Sequence, residues 1–351
     1  MAPRKLPKLK MKPVEEYRDD YVRNLFDGNF GKLNLSGIRV AITIDMIRKD
    51  AKTLGSGGFG NVCETDYEGI VFARKEIKIP SQVERSDMRR YLRELEVTRD
   101  CKMCPFVVKY FGYFIYRESA EYNFYIFMEK LPFSAAYLID RVRQLRTSRD
   151  PSFRIPEFVL GRIACSVVHA LRFLRDSLQI IHRDVKPPNI LMDYDGRVKL
   201  CDLGICAKLE NSSAFSKAGS YPYMAPERFS PDKYDERSDV WSLGISLVEL
   251  AELKNPYMMN GDQIIHLMEA IQRHPSPILN KETYSSNLVF FSSRLLEKNV
   301  ETRPKYAEIE RLEFFELHDL PFIYIGTGGS QKNTQRPLSV GRWIDEHLLS
   351  N

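Results

Sequence analysis

No run of 18 or more apolar residues occurs in the 351-residue sequence, so no segment has the length needed to span a bilayer. The N-terminal basic residues are not followed by an apolar stretch, which argues against a secretory leader. Cysteine is scarce and scattered, with six residues at 63, 101, 104, 165, 201 and 206. Cys101-Lys102-Met103-Cys104 is a lone C-x-x-C without a second pair at zinc spacing, and reads as buried reduced thiols. That usage fits a reducing compartment, so the expected location is cytoplasmic, with the nucleus also open. Internal repeats and low-complexity tracts are lacking, which excludes solenoid and fibrous classes. A dominant charge is lacking too: 52 Lys and Arg against 47 Asp and Glu leave +5. Much of that excess lies in residues 1–13, so it marks a basic tail and gives no support for a nucleic-acid surface.

What is present is an ordinary globular composition, 43% hydrophobic and 28% charged, long enough for one large domain or two lobes. Residues 1–13 are basic and proline-punctuated, and no fixed structure is expected there. Arg4, Lys5 and Lys8 precede Leu9 and Met11, a pattern that can lie extended with charges on an acidic patch and apolar residues in pockets. A solvated tail or a weak import patch gives the same composition. Residues 14–48 read as a mixed leader with a turn at Asp27-Gly28-Asn29-Phe30-Gly31.

From Ala51 a strand–turn–strand pattern begins. Leu54-Gly55-Ser56-Gly57-Gly58-Phe59-Gly60-Asn61-Val62 fits G-x-G-x-x-G-x-V, in which glycine lets the backbone approach phosphate without a Cβ clash. A dinucleotide fold needs a helix directly after its glycines. Here Asn61–Thr65 and Ile70–Ile77 alternate as strands about a turn at Tyr67-Glu68-Gly69, so this is a glycine-rich hairpin. Lys75 falls on the third strand, where its ammonium can meet phosphate. Residues 84–100 have the apolar spacing of a helix, with Glu94 the expected partner of Lys75 and Glu96 pointing away. Strands are expected at 106–116 and 122–129. Met128-Glu129-Lys130-Leu131-Pro132 then reads as a linker between lobes.

The chemistry concentrates in His182-Arg183-Asp184-Val185-Lys186-Pro187-Pro188-Asn189, followed by Asp202-Leu203-Gly204. Ile180-Ile181, Ile190-Leu191-Met192 and Val198-Lys199-Leu200 read as short buried strands, with Asp195-Gly196 as a two-residue hairpin turn. That hairpin would bring Asn189 and Asp202 together. Their oxygens suit Mg²⁺, a hard cation that takes carboxylate, amide and phosphate ligands. Asp184 can accept a proton from an attacking hydroxyl, and Lys186 can offset phosphate charge. Residues 157–178 carry a helical apolar stripe, and Asp239–Leu253 form a second, strongly apolar helix. Residues 205–224 read as a flexible segment ending at Ala225-Pro226-Glu227, with Arg303 the expected buried partner of Glu227. An amphipathic stretch near 338–348 carries Leu338, Val340, Trp343, Ile344 and Leu348.

The ordered set H-R-D-x-K-x-x-N, D-x-G and A-P-E resembles a protein kinase, over about residues 48 to 318. Met103–Val108, Ile181–Leu191 and Ser212–Arg228 are similar to the MAP kinase kinase family, with the stress-activated branch upstream of p38- and JNK-type kinases the nearer likeness. The resemblance implies an α+β bilobal fold: a β-rich N-lobe at about 48–129 with one main helix, a hinge at 129–132, and a mostly helical C-lobe at 133–318. A leader at 1–47 and a tail at 319–351 flank it. It implies ATP and Mg²⁺ as cofactors. ATP would contact Leu54, Gly55, Ser56, Gly57, Gly58, Phe59, Gly60, Val62, Ala73, Lys75, Glu94, Met128, Glu129 and Leu131, while Asn189 and Asp202 hold the metal. Asp184, Lys186 and Lys75 would be the catalytic set.

The implied reaction is dual-specificity phosphorylation of Thr and Tyr in a T-x-Y segment of a downstream MAP kinase. Activation would follow phosphorylation of Ser212 and Ser216 by an upstream MAP kinase kinase kinase, in stress-type signalling. Arg4, Lys5, Lys8, Leu9 and Met11 are similar to the family's MAP-kinase docking motif, and the tail near 338–348 to the site where upstream kinases dock. Neither a nucleic-acid partner nor a membrane span is expected. Leu203 for the usual Phe, Pro188 for the usual Ser and Arg74 for an apolar neighbour of Lys75 depart from the pattern. A kinase-fold scaffold, or a Ser/Thr kinase with another protein substrate, are the competing readings.

Overall fold

The computed structural model describes residues 30–35, 38–40, 52–57, 60–67, 69–80, 101–118, 121–202, 220–229, 235–257, 264–319 and 340–349. Two compact units result, a β-sheet N-lobe and a helical C-lobe, as in the bilobal protein kinase fold. The N-lobe unit ends its main stretch at Lys130 and the C-lobe unit begins at Leu131, within the linker expected from sequence. Phe173–Arg183 and Asp202–Gly219 are grouped with the first unit, and Asp184–Cys201 and Ser220 onward with the second.

The N-lobe is one seven-stranded antiparallel sheet. Its strands are β1 (Phe30–Leu35), β2 (Ile38–Val40), β3 (Thr53–Gly57), β4 (Gly60–Tyr67), β5 (Ile70–Pro80), β6 (Tyr110–Glu118) and β7 (Glu121–Glu129), in the order β2-β1-β6-β7-β5-β4-β3. β3 and β4 pair through Gly55↔Val62 and Gly57↔Gly60, which makes the glycine-rich stretch a hairpin. β5 is central, with Lys75 opposite Val62 on one side and Ile126 on the other. Alternation along β5 buries Ala73 and Ile77 on the face that carries Lys75. The opposite face buries Phe72, whose ring meets Phe127 edge-on at 5.7 Å.

Arg74 lies on that second face, next to Lys75 in sequence but pointing away from it. Its guanidinium stands 5.4 Å from the Tyr125 ring centre, so the charged residue found where an apolar one is usual gains an aromatic partner. The leader also differs from expectation. Phe30 and Gly31, read as part of a turn, lie in β1, which pairs with β6 from Phe30↔Ile115 to Leu33↔Gly112.

The C-lobe carries α1 (Ala135–Ser148), α2 (Glu157–Leu178), α3 (Arg237–Glu252), α4 (Ile264–Arg273), α5 (Ser286–Leu295), α6 (Tyr306–Ile309), α7 (Glu313–His318) and α8 (Val340–Ile344). α2 starts in this unit, and its last turns, from Phe173, are grouped with the other. Leu160, Ile163, Ala164, Val167, Val168 and Leu171 are all buried, as the apolar stripe requires. Each such Leu or Ile contributes about 1.5–3 kcal/mol relative to exposure. α3 is buried on every side, from Arg237 to Ala251. Gly244 permits the close approach of α5's end, since a Cβ there would lie 2.8 Å from the Leu296 side chain. α3 stops at Leu253, whose φ of 58° is left-handed.

A three-stranded sheet, β10-β9-β8, carries the catalytic stretch: β8 is Phe133–Ser134, β9 Ile190–Met192 and β10 Val198–Leu200. Ile180-Ile181, expected as a strand, is irregular instead. The β9–β10 turn is also wider than expected. Asp193 and Arg197 close it by a backbone bond at 3.1 Å, and the Gly196 N–H returns to the Asp193 carbonyl at 3.0 Å. Gly196 has a φ of 78°, and the Asp193 side chain accepts from the N–H groups of Asp195 and Arg197. The loop is therefore Tyr194-Asp195-Gly196 with glycine in the left-handed position, where an Asp-Gly pair alone suggests two residues. The tail beyond Val340 packs on this lobe, with Trp343, Ile344 and Leu348 buried.

Candidate functional site

In the N-lobe the Lys75 ammonium is buried on β5 and paired directly with the Asp202 carboxylate. Lys75 holds its place because its strand is flanked on both sides. Asp202 directly follows Cys201 and adopts a φ of 64°. A non-glycine residue in that region costs about 1–3 kcal/mol and persists where its surroundings require it. The pair sets a cation and an anion side by side, a combination matched to a phosphate group with its divalent cation.

Gly55 belongs to the same unit. A Cβ built there meets nothing within 4 Å, and its φ is outside the left-handed region. Neither packing nor backbone conformation therefore requires glycine at this position. What the position offers is open space above the strand. Leu54 is exposed, Ala73 and Met128 are buried and face each other across β5 and β7, and Val62 is half-buried. The Glu129 N–H is committed to the Lys109 carbonyl at 2.8 Å, so a base contact from Glu129 falls to its own carbonyl. Leu131 begins the second unit. Gly58, Phe59 and Glu94 lie outside the described residues, as do Leu203, Ser212, Ser216 and the tail residues Arg4, Lys5, Lys8, Leu9 and Met11; Gly57 and Gly60 pair across the hairpin, and of Ser56 only the backbone is described.

In the C-lobe four buried residues form one network around Asp184. Asn189 donates both amide hydrogens to Asp184, one to its carbonyl at 2.7 Å and one to Oδ2 at 2.8 Å. The Lys186 ammonium lies 2.9 Å from the same Oδ2 and donates to Ser220 Oγ at 2.8 Å. Ser220 in turn donates to Asp184 Oδ1 at 2.7 Å. Both carboxylate oxygens are thus fixed, and the ring of donors and acceptors closes on itself. Because Asn189 commits both N–H groups, its amide oxygen is left facing away from Asp184 as a neutral ligand. An amide oxygen at Asn189 and, in the other unit, a carboxylate at Asp202 are each of the oxygen type that Mg²⁺ takes.

The local backbone explains why Asn189 points this way. Pro187-Pro188-Asn189 is a single 3-10 turn closed by the Asn189 N–H on the Lys186 carbonyl at 2.9 Å. Both prolines occupy the first positions of the turn, where a missing N–H costs nothing. Pro188 is exposed, so replacement of the more usual serine leaves the network untouched. The Asn189 carbonyl accepts the Cys201 N–H at 2.9 Å, which ties the turn to the far strand of the hairpin.

Ser220 is the member of this network that the sequence does not single out. It was one of four serines in a segment read as flexible through residue 224. Instead Ser220 is buried, and Tyr221–Tyr223 and Pro226–Phe229 form short 3-10 turns. The Tyr223 hydroxyl donates to Glu249 at 2.6 Å, and burial together with that carboxylate pushes its pKa far up. The end of the segment is anchored as expected. Arg303, 1% exposed, holds both oxygens of Glu227 at 2.7 and 3.0 Å and stacks over Trp241 at 5.2 Å. Cys101 and Cys104 are buried.

Residues 48–315 match the protein kinase domain family. Three curated proteins of Caenorhabditis elegans are similar along most of their length. The dual specificity mitogen-activated protein kinase kinase sek-1 is 35% identical over 302 residues, 84% of this chain and 82% of the relative. MAP kinase kinase mkk-4 is 38% identical over 278 residues, 77% and 74% of the two chains. The dual specificity mitogen-activated protein kinase kinase mek-1 is 33% identical over 314 residues, 88% and 85%. Among the described residues no helix is long and apolar enough to cross a membrane. With a glycine hairpin, a buried strand lysine and an Asp–Lys–Asn–Ser network in place, the chain belongs to the protein kinases, within the MAP kinase kinase family.

Proposed function

We propose that the chain is a dual-specificity kinase that transfers the γ-phosphoryl group of ATP to Thr and Tyr of a T-x-Y segment in a stress-type MAP kinase of the p38 or JNK class. The observation that carries this reading is the Asp184 network, in which Asn189, Lys186 and Ser220 fix both carboxylate oxygens. Phosphoryl transfer needs alignment and charge neutralisation more than covalent help. In the proposed step the acceptor hydroxyl oxygen forms a bond to the γ-phosphorus, and the bond to the β–γ bridging oxygen breaks, leaving ADP. Asp184 orients the hydroxyl and takes its proton. Lys186 offsets charge on the transferred group, and Ser220 keeps the two side chains in register.

Gly55, Ser56, Gly57, Gly58, Phe59 and Gly60 cover the phosphates in this reading, and Lys75, with Glu94, positions them. Leu54, Val62, Ala73, Met128, Glu129 and Leu131 receive the base. Asn189 and Asp202 would hold Mg²⁺, which would supply neutralisation of phosphate charge. Phosphates on Ser212 and Ser216 order the segment by pairing with basic groups such as Arg183. Arg4, Lys5, Lys8, Leu9 and Met11 dock the MAP kinase. An upstream kinase that docks on the tail would meet the exposed side chains of Arg342, Asp345 and Glu346, because the apolar face of that helix is buried on the lobe.

The test mixes Ser212→Glu/Ser216→Glu protein with Mg-ATP and a panel of catalytically dead MAP kinases. Double phosphorylation of a T-x-Y segment, lost in Asp184→Ala, is the expected result. Absence of phosphate on every T-x-Y segment, in conditions where a known family member works, overturns the reading.

A further inference from the structure

We propose that the tail segment Val340–Leu349 braces the metal-holding hairpin, fixing the β9–β10 turn and through it the Asn189 amide oxygen. The proposal rests on the reading of Asn189 as a metal ligand. Two glycines mark the contact. A Cβ on Gly196 would lie 2.7 Å from the Gly341 nitrogen and 2.7 Å from Val340 Cβ. Reciprocally, a Cβ on Gly341 would lie 2.7 Å from the Tyr194 carbonyl oxygen and 2.9 Å from the Asp195 carbonyl carbon. Backbone meets backbone on both sides, so any side chain at either position must move the turn or the helix.

The helix is held firmly enough to act on the turn. Trp343 stacks on Phe153 with ring centres 6.3 Å apart and planes 11° apart, and His347 meets Phe153 edge-on at 5.4 Å. The Phe153 carbonyl accepts Arg146 Nε at 3.0 Å, which links this platform to α1. The hairpin, by contrast, is short. β9 and β10 pair over three residues only, Met192↔Val198 to Leu200↔Ile190. A two-stranded ribbon of that length is marginal by itself. Here β8 adds two pairs on one edge, and the turn rests on the tail. Asn189 directly precedes β9 and accepts the Cys201 N–H, so a shift at the turn passes along a three-residue ladder to the ligand oxygen.

By linkage, a partner that draws the tail off the lobe weakens metal retention, and bound Mg-nucleotide tightens the tail to the same extent. The experiment uses full-length Ser212→Glu/Ser216→Glu protein, with Gly341→Val, Trp343→Ala and the exposed-site control Lys281→Ala. Hydrogen exchange is followed across Ile190–Leu200, together with the Mg²⁺ concentration for half-maximal turnover at fixed excess ATP. Trp343 fluorescence quenching in the Gly341→Val and control proteins reports the tail, because the other tryptophan, Trp241, is 0% exposed.

In Gly341→Val the expected outcome is stronger quenching, about tenfold faster hairpin exchange and a Mg²⁺ requirement raised about three- to tenfold, with α2 exchange unchanged. Trp343→Ala removes the stack without forcing a side chain into backbone, and gives the same exchange and Mg²⁺ changes if Gly341→Val does not fold. Unchanged hairpin exchange in a protein whose tail is loosened overturns the brace. Faster exchange with an unaltered Mg²⁺ requirement overturns instead the assignment of Asn189 as a ligand.

Discussion

The Ser220 hydroxyl donates to Asp184 Oδ1 at 2.7 Å while accepting the Lys186 ammonium at 2.8 Å. One side chain directly before the Tyr221–Tyr223 turn thereby sets the separation of the Asp184 carboxylate from the ammonium beside it. Ser220→Ala leaves the Asp184 oxygen and the Lys186 ammonium each short of one partner. The loss of one such bond corresponds to about a tenfold fall in kcat, with the KM for ATP unchanged. Ser220→Thr keeps the hydroxyl and is expected to restore most of the rate. Steady-state kinetics on the Ser212→Glu/Ser216→Glu background separates the two variants.

Gly55 offers a prediction with the opposite signature. Nothing lies within 4 Å of a Cβ at that position, so Gly55→Val is expected to leave the melting temperature within about 2 °C of the parent. The added side chain instead occupies the space assigned to phosphate. The KM for ATP is expected to rise about threefold or more, as measured in parallel with thermal melting. A large stability loss without a change in KM would assign this glycine to folding.

How much of this was legible in the sequence depends on the range of the interaction. Lys75, Asp184, Asn189 and Asp202 stand out in the sequence because each lies in a short motif of fixed spacing, and the structure pairs Lys75 with Asp202 and Asn189 with Asp184. The glycine hairpin was readable because strands follow Gly60 where a dinucleotide fold would place a helix. Ser220 was not, since a serine among serines carries no local mark, and its role depends on reaching Asp184 across 36 positions of chain. β1 and β2 were missed because Phe30–Leu35 alternates only weakly and gains its place by pairing with β6. The tail's apolar residues were visible, but periodicity says that a face is covered and not by what.

The Glu227–Arg303 pair gives a stability prediction. Arg303 is buried and forked onto both oxygens of Glu227, with Ser238 Oγ adding a bond to Oε1 at 3.0 Å. Glu227→Gln keeps shape but leaves a buried guanidinium without its counter-charge. Removing one partner of such a pair costs about 3–5 kcal/mol. In a domain of this size that corresponds to a melting temperature lower by roughly 10 °C. Calorimetry checks the value. Arg303→Met in the same background is expected to recover part of the loss, because a buried pair replaced by apolar groups can be nearly neutral.

Tyr257 contributes to the alkaline limit of the C-lobe, together with Tyr223 and Tyr284, whose phenols burial also pushes up. Its hydroxyl is buried without a hydrogen-bond partner among the described residues, and burial pushes its pKa up to about 12. An unfolded tyrosine titrates near 10, so the folded state holds this proton more tightly. The stabilising contribution of the protonated phenol is therefore complete below about pH 10 and is lost as pH rises through about 12. Tyr257→Phe removes both the titration and a polar atom that gains nothing from burial. Its melting temperature is expected to match or exceed the parent's at pH 7, and its decline between about pH 10 and 12 to be shallower. Tyr284→Phe makes the contrast, since the Tyr284 hydroxyl donates to the Ala251 carbonyl at 2.7 Å and its loss destabilises at neutral pH. Melting curves of the three proteins from pH 7 to 12 decide it: a parallel decline in Tyr257→Phe and the parent would mean that this phenol is ionised as readily in the fold as in water.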